Sequence, residues 1–388
     1  MKKLLLLLVI ILQDLPLCAQ INEVFSTPLP ILKITTDEAE IPEEPPIPAE
    51  MGIVWHGEGN MNNSDDEANA FWSNINIDKR GYSSIYFFPK NGYAIETKDE
   101  NGEDQDTSFL NFPTEEDWIL HGPYSDKSLL RNVLAMHIAN GMGNYNSRTR
   151  FVELMINNEY EGLYVMMEKI KRDENRLDIA TLNEIDIEGD ELTGGYVFKI
   201  DNGEPDWWST YPIVSNPTGP PIAFQYVVPK KSKIVVQQEY YIQAYVDSFE
   251  RALRADGFHY GEKRYNEYAD ITSFADHFIA KELAKDVDAY RLSSYYYKKK
   301  DSNGGKLYAG PVWDFNLGFG NADYCNGGST GDWMYELNCD DGNPFWWLRM
   351  REDTAFLDVL SCRWAELRET VLKKENLMDF IFKNKVMI

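Results

Sequence analysis

The chain has 388 residues, 43% of them hydrophobic and 13% aromatic, enough for a large core in one bilobal domain or two small ones. Its formal net charge is −25. A surface this acidic repels phosphates, which argues against nucleic acid and anionic membranes as partners. Any nucleotide site in this background needs local Lys, Arg or metal to offset it.

Residues 1–19 read as a signal peptide. Lys2 and Lys3 form the positive start, Leu4 to Leu12 the apolar centre, and Ala19 the small residue before the cut. The apolar run is shorter than the ~20 residues a spanning helix needs, so no transmembrane span is expected. Cys18 raises a lipid anchor as an alternative, but Leu17 is a poor fit before a lipidated cysteine, and soluble export ranks first. The protein is therefore expected in the periplasm, at the cell surface or outside the cell.

No internal repeat is visible. Residues 20–70 read as an extended, Pro- and Glu-rich lead-in, with one short strand within Pro28 to Thr36. Ile75 to Asp78, Ile85 to Phe88 and Gly92 to Thr97 read as strands. Ser125 is an N-cap candidate for a helix over Asp126 to Asn140, with Leu130, Val133, Leu134 and His137 at helical spacing. Phe151 to Ile156 and Gly162 to Ile170 form a hairpin. Later come a strand over Gly195 to Ile200, a long helix around Gln237 to Ala255, and a buried helix over Ile271 to Lys285. Phe356 to Ile388 reads as helical.

The stretch from Phe274 to Asn321 carries the chemistry. The buried helix ends in an acidic loop holding Asp288. A Tyr-rich strand follows, turns at Asn303-Gly304-Gly305, and returns to end at Trp313-Asp314-Phe315-Asn316. Both ends of an antiparallel hairpin lie at one edge, so Asp288 and Asp314 should converge. Protein kinases arrange two aspartates this way, one orienting the acceptor hydroxyl and one holding Mg²⁺.

The chain resembles the CotH family of atypical kinases. The likeness rests on Arg80-Gly81-Tyr82-Ser83-Ser84 with Phe88-Pro89-Lys90, on SDKSLLRN (Ser125 to Asn132), on Arg148 to Arg172, on GGYVFKID (Gly194 to Asp201), and on the stretch above. It implies an α+β, atypical two-lobed protein-kinase-like fold, with an N-lobe over 71–172 and a C-lobe over 173–388 that the family usually continues past this end. It also implies ATP, with Mg²⁺ or Mn²⁺, and a Ser or Thr hydroxyl on an exported protein as acceptor.

The residues then take expected roles. Asp288 orients and deprotonates the acceptor hydroxyl, or else caps the turn after its helix. Asp314 binds a hard cation, because a carboxylate between Trp313 and Phe315 is costly unless paired or bound to metal. Ser293, five positions after Asp288, stands where kinases carry a metal-binding Asn, and Asn316 could add a carbonyl oxygen. Lys90 and Arg80, beside a loop with one glycine, are candidates for the phosphates; Lys90 reads equally as a lysine at a strand end. Lys127 and Arg131 fall on one face of the expected helix, where a kinase has a Glu. Glu168, with Lys169 and Ile170, would form the hinge that meets adenine. The roles of Lys199 and Asp201 stay open. Trp207-Trp208 and Trp346-Trp347 read as core or groove wall.

Three cysteines follow the expected cut. Cys325 and Cys339 flank a Gly- and Asn-rich insertion. A bridge there would close a loop of about fifteen residues, worth ~3 kcal/mol in the chain-entropy account. The main alternative to an exported kinase is a non-catalytic surface or interaction module on the same fold; a glycan-handling protein with paired carboxylates comes third.

Overall fold

The computed structural model describes residues 24–82, 84–212, 221–260, 264–337, 339 and 342–388. The expected signal peptide, including Cys18, lies outside the described residues. So does Ser83. In chain order the first part comprises β1 (Ser26–Thr27), β2 (Ile31–Thr35), β3 (Ile47–Val54), β4 (Asn62–Asn63) and β5 (Phe71–Arg80). A one-turn helix α1 (Ser84–Phe87) follows, then β6 (Gly92–Lys98), β7 (Asp117–His121), α2 (Arg131–Gly141), β8 (Thr149–Ile156) and β9 (Glu159–Glu168).

Seven of these strands form a closed barrel in the order β2-β3-β5-β6-β7-β9-β8. The ring is completed by β8 running parallel to β2, with Ile31 opposite Glu153 and Ile34 opposite Ile156. Closure removes the free edges that an open sheet would present. Period-two alternation fills the interior. Ile75 and Ile77 of β5, Tyr93 and Ile95 of β6, and Leu32 and Ile34 of β2 all point inward and are buried.

The lead-in is thus part of the core and not poorly packed. Composition averaged over 20–70 hid this. The Pro- and Glu-rich residues Glu43 to Pro46 sit exposed in the connection between two strands, whereas Ile31, Met51, Ile53 and Val54 are buried. Two other local expectations also differ. Ile85 to Phe88 is not a strand: residues 84–87 form α1, with Tyr86 and Phe87 exposed. The helix expected from Asp126 begins only at Arg131. The buried Asp126 carboxylate accepts the N–H groups of Ser128 (2.9 Å) and Arg131 (2.8 Å), and Leu129 is left-handed at φ 61°, so a capped turn replaces the first helical turn.

The second part comprises α3 (Gly189–Leu192), β10 (Tyr196–Ile200), β11 (Trp207–Pro212), β12 (Pro221–Val228), α4 (Val236–Arg254), α5 (Ile271–Ala284), β13 (Ser294–Lys298), β14 (Leu307–Val312), α6 (Trp346–Arg351), α7 (Thr354–Glu369) and α8 (Lys374–Met387). Its five strands pair antiparallel in the order β11-β12-β10-β13-β14. The helices cover this sheet, burying Phe198, Phe224, Phe249, Phe274, Tyr296 and Trp346 in one cluster. A separate cluster joins the two parts. Val133 and Met136 of α2 and Val165 and Met167 of β9 pack with Ile279 of α5 and with Phe315. No helix among the described residues is long and apolar enough to cross a membrane.

Cys325 and Cys339 are bridged, with Cα atoms 5.6 Å apart. Trp207, Trp346 and Trp347 are core residues, and Trp208 is exposed at the sheet edge. Glu250 of α4 ties three elements together: Ser209 Oγ donates to it at 2.7 Å and Trp346 Nε1 at 2.9 Å. Burial pushes this carboxyl up to about 7.

The folded state therefore holds the Glu250 proton more tightly than the unfolded chain does. The resulting stability is complete below the unfolded carboxyl value of ~4.3 and is lost as pH rises through about 7. Glu250→Gln stays neutral and removes that dependence. It should raise unfolding stability at pH 8 by about 2–3 kcal/mol and change it little at pH 4. Urea unfolding of both proteins at the two pH values checks this; equal stability at pH 8 would refute it.

Candidate functional site

A cavity of about 210 Å³ lies where one end of the barrel faces the second sheet. The barrel contributes Arg80 at the end of β5, Gly92 at the start of β6, His121 at the end of β7, and the α1 connection between β5 and β6. The opposite wall carries Asp201 at the end of β10, Asp288 and Ser293 from the loop after α5, and Asp314 and Asn316 after β14. Asp288 and Asp314 thus line one cavity.

Their placement follows from three local features. Helix α5 stops at Lys285, whose left-handed φ of 51° turns the chain into the Asp286–Asp288 loop. Strands β13 and β14 pair with Ser294 opposite Val312, which brings both ends of the hairpin to one edge. Asp314 itself is left-handed at φ 54°, an uncommon conformation for a residue other than Gly or Asn. Side chains from other elements satisfy the backbone around it. Val312 N–H donates to Asn146 Oδ1 (2.8 Å), Lys281 Nζ donates to the Trp313 carbonyl (3.3 Å), and Phe315 N–H donates to Asn132 Oδ1 (3.1 Å).

Four aspartates act on one another here. Asp286 is fully buried and pairs with the fully buried Lys281 at 2.9 Å. Arg291 donates to Asp288 at 2.7 Å. Asp201 pairs with Lys199 at 2.8 Å and accepts from the Ser293 N–H (3.3 Å) and hydroxyl (3.4 Å). Asp314 has no hydrogen-bond or ion-pair partner among the described residues. Burial pushes the Asp288 carboxyl up to about 6, helped by Asp286 and opposed by Arg291 and Lys281. The same holds for Asp314, up to about 6, through burial and then the charges of Asp286 and Asp288. Two carboxyls raised by burial, and further by neighbouring aspartates, on one cavity are the arrangement a divalent cation relieves.

The cations divide into those at the cavity and those away from it. Arg80 lines the cavity, lies 5.7 Å from the Trp313 ring centre, and feels Asp314 and Asp201. It helps to hold the buried His121 down to about 4, hence neutral, although burial is the larger cause. Lys90 contributes to the wall, but its ammonium points elsewhere. It donates to the Glu161 carbonyl at 2.8 Å and sits 4.2 Å from the Tyr164 ring centre. Arg131 is paired with Asp126 and outside the lining, and Lys127 is exposed beside Tyr124 in the turn before α2. Helix α2 presents Asn132 to the cavity instead. Glu168 is fully buried at the end of β9, paired with Arg148 and Arg176 at 3.2 Å each. It does not line the cavity; its neighbour Met167 does.

Asp201, Lys281 and Asn132 are the residues the sequence pattern did not assign. Asp201 carried a signal, since it closes the strand in the GGYVFKID segment. Lys281 follows the apolar run Phe278-Ile279-Ala280 in the last turn of α5, where a buried lysine is costly unless paired. A second acidic group lies elsewhere. Asp106, Glu115 and Glu116 bring carboxylate oxygens within 4.8 Å of one another, but Lys171 already pairs with Glu115 (2.6 Å), Glu116 and Asp117 (2.9 Å).

Comparison with family profiles matches residues 77–388 to CotH kinase protein. The chain belongs to the CotH kinase family. The match takes in the whole cavity wall, from Arg80 to Asn316, and starts within β5. The CotH match leaves out β2 and β3, the two strands that complete the barrel. Comparison with curated proteins finds no match.

Asp314 has no partner among the described residues, so its removal tests whether this cavity takes a cation together with nucleotide. Asp314→Ala should keep the apo melting temperature near that of the wild type and abolish the shift produced by ATP with Mn²⁺. A variant that keeps the full shift would remove Asp314 from the cation site.

Proposed function

We propose that this chain is an exported kinase of two-lobed, kinase-like architecture, transferring the γ-phosphoryl group of ATP to a Ser or Thr hydroxyl of another exported protein. The observation that carries it is the pair of raised carboxyls, Asp288 and Asp314, on one cavity of a CotH-family chain. The barrel with α2 stands as the first lobe and the second sheet with its helices as the other. Membership in the family supports kinase chemistry in general; the named roles are this chain's own. The disulfide and the expected leader support export.

The residues fit a metal-bound nucleotide by donor chemistry. Asp314, whose carboxylate has no partner among the described residues, and Asn316 would hold Mg²⁺ or Mn²⁺. When bound, the cation neutralises phosphate charge and orients the γ-phosphate. Arg80 would meet phosphate oxygens from the opposite wall, beneath the α1 connection. Lys90 could join only by leaving the Glu161 carbonyl. Asp288, held by Arg291, accepts the proton of the acceptor hydroxyl. That oxygen forms the new P–O bond while the bond to ADP breaks, and ADP keeps the electron pair. Positioning and charge neutralisation supply most of the acceleration.

One observation favours the non-catalytic alternative. Ser293 already gives its N–H and hydroxyl to Asp201, so a second cation would have to compete for that hydroxyl.

Transfer of label from γ-labelled ATP to a Ser/Thr-rich protein and to the chain itself tests the proposal. Asp288→Asn should still bind ATP with Mn²⁺ but lose ~10²–10⁴ in transfer rate. The wild-type rate should fall as pH drops through about 6, because Asp288 must be ionised to take the proton. An undiminished Asp288→Asn rate would disprove the role. Absence of transfer by the wild type on every acceptor would leave the interaction module.

A further inference from the structure

Lys281 does not line the cavity, and its side chain is entirely shielded from solvent. It nevertheless sits between the two segments that carry the paired carboxyls. Its ammonium donates to Asp286 Oδ2 at 2.9 Å and to the Trp313 carbonyl at 3.3 Å, and lies 4.3 Å from the centre of the Phe315 ring. Asp286 in turn accepts the Asp288 N–H at 3.4 Å. One buried charge therefore reaches the residue two before Asp288 and both neighbours of Asp314.

A lone ammonium in this position would be very costly, and a lone Asp286 equally so. The pair removes both costs and leaves the ammonium two further donors, one of which goes to the Trp313 carbonyl. Nothing else in α5 performs this link. His277, one turn earlier on the same helix, is buried and kept neutral, with burial the larger cause and Lys281 the smaller. It faces Tyr290, Tyr296 and Trp347, not the carboxylates.

We propose that Lys281 is a positioning residue for the phosphoryl-transfer site: its buried ammonium joins the loop of Asp288 to the strand exit of Asp314 and fixes the two carboxylates relative to one another without touching ligand. The inference rests on the kinase reading above. It adds that geometry at the cavity is set from behind, by an ion pair in the α5 core. Outer partners of metal-binding groups commonly act in this way.

A merely structural role and a positioning role separate on a double substitution. Lys281→Met alone leaves Asp286 buried and unpaired, so it should lower the melting temperature sharply. Lys281→Met combined with Asp286→Asn replaces the ion pair with a neutral pair of similar shape and should recover most of that loss. The recovered double variant should still bind Mn²⁺ with a non-hydrolysable ATP analogue about 10–100-fold more weakly than the wild type. Its transfer kcat should fall while KM for the acceptor protein stays within about twofold. A double variant with wild-type melting and wild-type Mn²⁺–nucleotide affinity would overturn the inference and leave the kinase reading standing. A wild-type protein that binds no Mn²⁺–nucleotide would overturn both.

Discussion

Gathering negative charge in a place of low dielectric is the constraint on which this structure turns. Asp201, Asp286, Asp288 and Asp314 approach one cavity, and each would cost several kcal/mol if left ionised and alone. Three of them are assigned protein partners: Lys199, the buried Lys281 and Arg291. The fourth, Asp314, is held in a left-handed conformation by its neighbours' backbone bonds and given no partner among the described residues. Strain and an unpaired charge at one residue are features that folded proteins tolerate where they serve function.

The barrel supplies the opposite wall. Closing seven strands into a ring fixes the ends of β5, β6 and β7 relative to one another, so Arg80 and His121 meet the carboxylates from stable positions. The connection between β5 and β6 is the exception. It lines part of the cavity through Tyr82, Ser84 and Phe88, and its helix α1 buries no side chain.

Part of this was legible in the sequence because the signals were local. The hairpin of β13 and β14 announced itself through a Tyr-rich strand and an Asn-Gly-Gly turn, and its edges located Asp288 and Asp314. The two cysteines announced their bridge by flanking a Gly-rich loop. Other signals were local and misled. Leu129 and Leu130 carry helical spacing, yet the Asp126 carboxylate competes for the first N–H groups and delays α2 to Arg131. That single cap moves Lys127 off the helix and turns Arg131 toward Asp126. Strand β7 was missed because its apolar run, Trp118 to Leu120, is only three residues long between polar neighbours.

Register and turn chemistry act over a few residues, so the short-range elements and the two carboxylates at the ends of one hairpin were readable from the chain alone. Long-range packing settled that β2 pairs with β8 across more than a hundred residues and closes the barrel. It alone decided that Lys90 turns to a carbonyl while Arg80 faces Asp314. It also placed the buried lysine of the last turn of α5 against Asp286 and Trp313. These choices depend on which charges share a buried volume. Burial, unlike a turn or a strand, is a property of the whole chain.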